Sequence, residues 1–161
     1  MSSQGPDVTV AAVVEQQGRF LLVEERIRQR LVINQPAGHV EDRETLLAAV
    51  IRETREETAY EFEPSALVGT YLWRNPASGQ STLRFAFTGR LLAHHPDQRL
   101  DTPIVRSLWM TTEELQQANA RLRSPLVMRS IEDYQSGQRW PLKSVAYLDL
   151  ETVSRIYVVN A

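Results

Sequence analysis

The chain has 161 residues, with 18 Lys and Arg against 20 Asp and Glu, and a formal charge of −2. Apolar residues make up 42% and charged residues 24%, the balance of an ordinary folded domain, which excludes disordered and fibrous classes. The near-zero charge gives no global reason to expect nucleic acid or an anionic membrane as partner. The absence of cysteine excludes disulfides, Cys-ligated zinc, iron–sulfur clusters and thiol catalysis.

Residues 1–7 are small and polar and read as a flexible N-terminus, with neither the basic nor the apolar region of a secretory signal. No apolar run approaches the length of a membrane span, so a soluble cytoplasmic protein is expected. Residues 8–14 are rich in β-branched side chains and predict a buried strand. A turn at Gln16-Gln17-Gly18 leads to a second strand over 19–24, giving a hairpin. Leu31-Val32-Ile33 is a third short strand, and Asn34-Gln35-Pro36-Ala37-Gly38 reads as a loop.

From 44 to 58 the period becomes helical, with Leu47, Val50, Ile51, Thr54 and Thr58 on one face. Pro64 limits continuation of that helix. Strands return over 67–73 and 82–91, separated by a loop at 75–79, and His94-His95 is read as a further loop. Residues 104–110 predict another strand, and Thr111-Thr112-Glu113-Glu114 has the form of a capping box opening a helix to about Asn119. Pro125 opens a further helix over 126–134, closed by Ser136-Gly137. One domain over 8–142 is expected, of α+β class with a mixed sheet. In the tail, 143–161, residues 145–150 and 156–159 read either as strand or as irregular chain.

The stretch that carries chemistry runs from Gly38 to Glu57. On a helical wheel, Glu57 lies about 40° from Glu53 and Glu56 about 60° the other way, so three carboxylates share one face. Small Ala49, one turn earlier, leaves space beside them, and Arg52 and Arg55 flank them for ion pairing. Like charges at this spacing cost a few tenths of a kcal/mol per pair, and a hard divalent cation reverses that sign. A bare Glu-rich helix is most often a solvated acidic face. Six residue types at fixed offsets are another matter, arising by chance on the order of once in 10⁷ to 10⁸ starting positions.

Those six residues resemble the Nudix box, Gly-x5-Glu-x7-Arg-Glu-U-x-Glu-Glu-x-Gly-U, where U is a bulky apolar residue. Gly38, Glu44, Arg52, Glu53, Glu56 and Glu57 match. Thr54 departs at the first U, Ala59 replaces the last glycine, and Tyr60 fits the final U loosely. A left-handed turn there would cost an alanine roughly 1–2 kcal/mol, so the helix is expected to end without it or to run about a residue longer. The strings Asn34-Gln35-Pro36-Ala37-Gly38-His39, Leu122-Arg123-Ser124-Pro125-Leu126-Val127 and Tyr134-Gln135-Ser136-Gly137-Gln138-Arg139 are similar to the NudJ-type phosphatase subgroup of that family, over about residues 8–142.

The resemblance implies a Nudix-type α/β/α sandwich with a mixed central sheet, and a hydrolase that cleaves phosphoanhydrides with a divalent metal. It implies Mg²⁺, or Mn²⁺, on Glu53, Glu56 and Glu57 with the Gly38 carbonyl, and a structural Glu44–Arg52 pair. Glu53, then Glu57, is the expected general base. The subgroup's substrates imply orthophosphate release from thiamin pyrophosphate, hydroxymethylpyrimidine pyrophosphate and nucleoside di- and triphosphates. Partners are therefore small molecules, with no nucleic acid or membrane, for a monomer or a homodimer. Alternatives are another Nudix substrate (an oxidised nucleotide, a nucleotide sugar or a dinucleoside polyphosphate) or a regulatory ligand-binding module. Such modules usually lose box glutamates, and all four are present here.

Substrate contacts are read with two alternatives each. Trp73 is a stacking platform or a half-buried core residue. Arg84 points into a cleft or to solvent. Arg123, ahead of the Pro125 helix, meets a phosphate or lies on the surface. His39 assists a phosphate oxygen or is a structural loop residue.

Overall fold

A computed structural model describes residues 5–148. Eight strands form two four-stranded sheets. The first holds β1 (Asp7–Ala12), β5 (Ala37–His39), β6 (Tyr60–Arg74) and β7 (Ser81–His94), in the order β5-β1-β7-β6. It is mixed: β1 runs parallel to β7, while β5 and β6 pair antiparallel at the two edges. The second holds β2 (Glu15–Gln16), β3 (Arg19–Ile27), β4 (Arg30–Asn34) and β8 (Ile104–Met110), with β3 bonded to the other three.

Alternation along β1 and β7 sends successive side chains to opposite faces of the first sheet. Val10, Ala12 and Phe87 face α1 (Leu46–Thr58), which packs Ala49 and Val50 against them. Ala86, with Val68 of β6, faces α3 (Leu126–Gln135) through Val127 and Ile131. The second sheet completes both cores, Leu21 on the first and Phe20, Leu22 and Ile33 on the second. The result is the expected α+β sandwich, with helices on both faces of a mixed sheet. The capping box at Thr111 forms as read and opens the short α2 (Thr112–Gln117).

Helix α1 starts at Thr45, whose hydroxyl caps the Ala48 N–H at 3.0 Å. Ala49, Val50, Thr54 and Thr58 are buried as the apolar face, but Ile51 is 40% exposed, at the rim of the stripe. Thr54 is accommodated in the core because its hydroxyl donates to the Val50 carbonyl at 2.7 Å. The expected helix end is corrected by the structure. Ala59 adopts the left-handed conformation, φ 59° and ψ 16°, and its N–H bonds the Arg55 carbonyl at 2.8 Å. Its 2% exposure and that bond offset the conformational cost, and the turn feeds the chain directly into β6.

Four further readings change. Ala37–His39, read as loop, is a short strand because Gly38 pairs with Val10 across the edge of β1. Pro64 lies inside β6, at a register shift where its missing N–H is tolerated. His94 ends β7 and stacks on Tyr60, 4.1 Å between ring centroids, while His95 contacts Glu61 at 2.9 Å. The strand β1 begins at Asp7, inside the segment read as flexible. A 3₁₀ turn at Leu142–Ser144 is followed by no regular element through residue 148, and the readings at 149–150 and 156–159 lie outside the described residues.

At the β6–β7 bulge, a Cβ added to Gly89 would lie 2.0 Å from the Glu63 carbonyl oxygen. Gly89→Ala is expected to lower the unfolding free energy by about 1–3 kcal/mol, measured by urea denaturation, because backbone rather than a flexible side chain must move.

Candidate active site

One side chain, Arg52, gathers three of the box glutamates, Glu44, Glu53 and Glu56. The Arg52 guanidinium has five N–H donors, and the structure uses all of them. Nε and Nη2 hold the two oxygens of Glu44, each at 2.8 Å, and Nη2 also donates to the His39 carbonyl at 3.0 Å. Nη1 holds Glu53 at 2.8 Å and Glu56 at 3.2 Å. Glu44 in turn accepts from the Glu41 N–H at 3.0 Å, which fixes the loop ahead of α1. Arg55, expected to share this task, points away to Gln98 and Glu61.

Beside this clamp lies a cleft of about 610 Å³. Gly38, Glu53 and Glu57 line one wall of it, and Glu57 accepts the Ala37 N–H at 2.8 Å. A Cβ at Gly38 would fall 2.0 Å from Glu53 Oε1, so only glycine lets the β5 backbone meet that carboxylate. Glu56 stands outside the cleft on Arg52, with 43% of its side chain exposed. Among the described residues, no three carboxylate or imidazole groups converge as a finished metal cage. The donor set still suits a hard divalent cation, being all oxygen and concentrated at the Gly38–Glu53 contact.

Electrostatics in the cleft are unbalanced. Burial, aided by the charges of Glu53, Glu25 and Asp101, pushes the Glu57 carboxyl up to about 8, against the pull of the Ala37 N–H. Burial also raises Glu53, opposed by Arg52. On the floor, Arg84 projects from β7 and is only 6% exposed, which settles its two readings in favour of the cleft. Its Nη1 reaches Asn34 and Gln35 side-chain oxygens at 3.4 Å, and burial lowers it to about 10. Trp73 lines the same cleft and belongs to neither core cluster. Exposed Arg123 and His39 stand at its rim, 3.8 Å from Glu25 and 3.9 Å from Asp7 respectively. All four substrate-contact candidates thus share one cavity.

Glu25, Asn34 and Thr9 also line it, and sequence reasoning did not find them. Consecutive Glu24 and Glu25 at a strand end give no signal of burial. The register of β3 against β8 shifts between them, and Glu24 turns to Arg106 and Arg121 while Glu25 enters the cleft.

The Nudix domain family matches residues 4–131. The chain belongs to the Nudix family. Phosphatase NudJ of Escherichia coli K12 is 45% identical over 140 residues, 87% of this chain and 90% of the relative. A Nudix hydrolase structure from Nitrosomonas europaea superposes with a TM-score of 0.88 at 46% identity, covering 91% of this chain and 99% of that one. The Nudix domain of Shewanella oneidensis NrtR, in complex with ADP ribose, shares the fold at a TM-score of 0.65 and 18% identity, over 83% of this chain and 89% of that one. This chain is a Nudix hydrolase acting on phosphorus-containing anhydrides. No helix among its described residues is long and apolar enough to cross a membrane.

Two consequences are measurable. Gly38→Ala is expected to cost little stability, since a carboxylate end can swing away, yet to cut turnover by about 10²-fold by moving Glu53. Parallel thermal melts and kinetics check this. The raised Glu57 carboxyl makes the metal-free fold bind a proton more tightly than the unfolded chain does. Its stabilisation is complete below about 4.5 and is lost as pH rises through about 8. Metal-free Glu57→Gln should therefore melt higher than the parent at pH 9, with the difference vanishing near pH 4.

Proposed function

We propose that the chain is a Mg²⁺-dependent phosphatase, able to use Mn²⁺, that releases orthophosphate from thiamin pyrophosphate, hydroxymethylpyrimidine pyrophosphate and nucleoside di- and triphosphates. The observation that carries this reading is the meeting of Gly38, Glu53 and Glu57 on one cleft wall, in a chain 45% identical to phosphatase NudJ. Glu53 and Glu57, with the Gly38 carbonyl, would hold the divalent ion from the cleft wall, and Glu56 would join them by releasing Arg52. When bound, that ion neutralises phosphate oxygens and helps align the attacking water. Glu53 is the first choice to take the proton from that water and Glu57 the second, within a coupled set of carboxylates.

Glu44 and Arg52 keep the loop and helix in register. His39, Trp73, Arg84 and Arg123 contact the substrate around the cleft. Residues 8–142 form the catalytic unit, which works in the cytoplasm on small molecules, as a monomer or homodimer, without nucleic acid or membrane.

A panel of pyrophosphate compounds with Mg²⁺, read for orthophosphate against pyrophosphate, tests the reading. Thiamin pyrophosphate should yield orthophosphate and the monophosphate. Glu53→Gln and Glu57→Gln should each lower kcat by about 10²-fold or more while remaining folded by thermal melt. Pyrophosphate as the product, or near-normal turnover in both variants, would defeat it.

A further inference from the structure

Among the described residues, three buried side-chain atoms have no hydrogen-bond partner within the protein: Thr9 Oγ1, Glu25 Oε1 and Arg84 Nε. Their residues are 7%, 9% and 6% exposed, and all three line the cleft. Buried polar groups are ordinarily satisfied, so three orphans on one cavity point to a ligand that satisfies them.

The three come from different strands yet share a locality. Thr9 and Arg84 are direct neighbours in the parallel β1–β7 pairing, on the floor of the cleft. Glu25 enters from the second sheet at the β3–β8 bulge. Asn34 lies beside Arg84, its side-chain oxygen 3.4 Å from Nη1, and also lines the cavity. Trp73 is one strand beyond Arg84, on β6, where it pairs with Thr82.

We infer that Thr9, Glu25 and Arg84 form a recognition subsite for the substrate's organic group, and that this group is a nitrogen heterocycle with an N–H donor beside a lone-pair acceptor. The orphan set decides the class. Glu25 offers an acceptor, Arg84 a donor, and the Thr9 hydroxyl either role. A phosphate has only acceptors at its ionised oxygens, so it would satisfy Arg84 but give Glu25 Oε1 no donor, and Arg123 Nε, 3.8 Å from that oxygen, pairs with its charge without reaching hydrogen-bond distance. A purely apolar group satisfies none of them. An aminopyrimidine or aminopurine donates to Glu25 and accepts from Arg84 without adding charge, and presents a π-face to Trp73. This assignment rests on the proposed function for the identity of the phosphate end, whereas its test needs no hydrolysis.

Calorimetric titration with cytidine, adenosine and thiamin monophosphates, each compared with ribose 5-phosphate, carries no anhydride bond and isolates the heterocycle. At least one heterocyclic monophosphate should bind the parent chain 10-fold or more tighter than ribose 5-phosphate. Glu25→Leu should weaken the preferred heterocyclic monophosphate by about 10-fold or more without weakening ribose 5-phosphate by more than about 3-fold, since Arg123, released from Glu25, stays free to meet the phosphate. Glu25→Gln, which keeps the shape and an acceptor oxygen, should lose less, and either variant must first show a cooperative thermal melt. Equal affinity of the parent for all four ligands would overturn the inference. So would an unchanged preference in folded Glu25→Leu, or a parallel loss for ribose 5-phosphate. Preference without orthophosphate release in the enzyme assay would defeat the phosphatase reading alone.

Discussion

The grip of Arg52 on Glu44 is the contact on which the site's order depends. Glu44 lies ahead of the helix and Arg52 two turns into it, so their paired bonds fix where the chain enters α1. The same guanidinium holds the His39 carbonyl, one residue past Gly38, and so ties the edge strand β5 to the helix. Glu53 is thereby brought against a backbone with no Cβ. Exposed ion pairs contribute little, but this one is planar, bidentate and largely shielded, with Arg52 23% and Glu44 13% exposed in their side chains. Mutual support also raises Arg52 above its ordinary range and lowers Glu44 below its own.

The clamp also explains why three glutamates on one helix face do different things. Glu53 and Glu56 each have one oxygen on Arg52, which offsets part of their repulsion. Glu57, about one turn on, is out of reach of that cation and has the Ala37 N–H instead. A neutral amide cannot compensate a buried charge, and the Glu57 carboxyl rises accordingly. The fold thus neutralises the glutamates nearest the loop and leaves the deepest one uncompensated, where a divalent ion has most to gain.

Much of this was legible in the sequence because the informative residues act locally. The capping box at Thr111 and the helix over the box glutamates follow from spacing and residue type, and the Glu44–Arg52 pair is the one the Nudix resemblance implies. What was not legible depends on contacts far along the chain. Ala59 turns left-handed because β6 must start at once and its methyl is buried there, a tertiary gain that propensity does not register. Gly38 lies in a strand only because β1 lies beside it. Arg84 alternates with apolar neighbours either way, and only the second sheet turns its face of β7 into a cavity wall rather than a surface. Glu25 was the hardest to see, since a one-residue register shift between strands far apart in sequence, where Glu24 pairs with Arg106 and Glu25 with Ile104, decides which acid is turned inward.

The cleft is therefore polar along its length as well as across it. The Gly38–Glu53–Glu57 wall is acidic, and Arg84 on the floor carries a buried positive charge with no carboxylate in ion-pair contact among the described residues. Burying either charge alone costs folding free energy, and the chain holds both because the surrounding sheets and Arg52 supply more than they cost. Under the proposed chemistry the two ends impose a direction on the substrate. The phosphoanhydride is drawn to the carboxylate wall only with its cation, and the organic group is left at Arg84, Glu25 and Trp73. Reversed, the heterocycle would face carboxylates without its acceptor satisfied, and the phosphate would meet Glu25. Orientation then follows from where charge was left uncompensated, before any shape complementarity is considered.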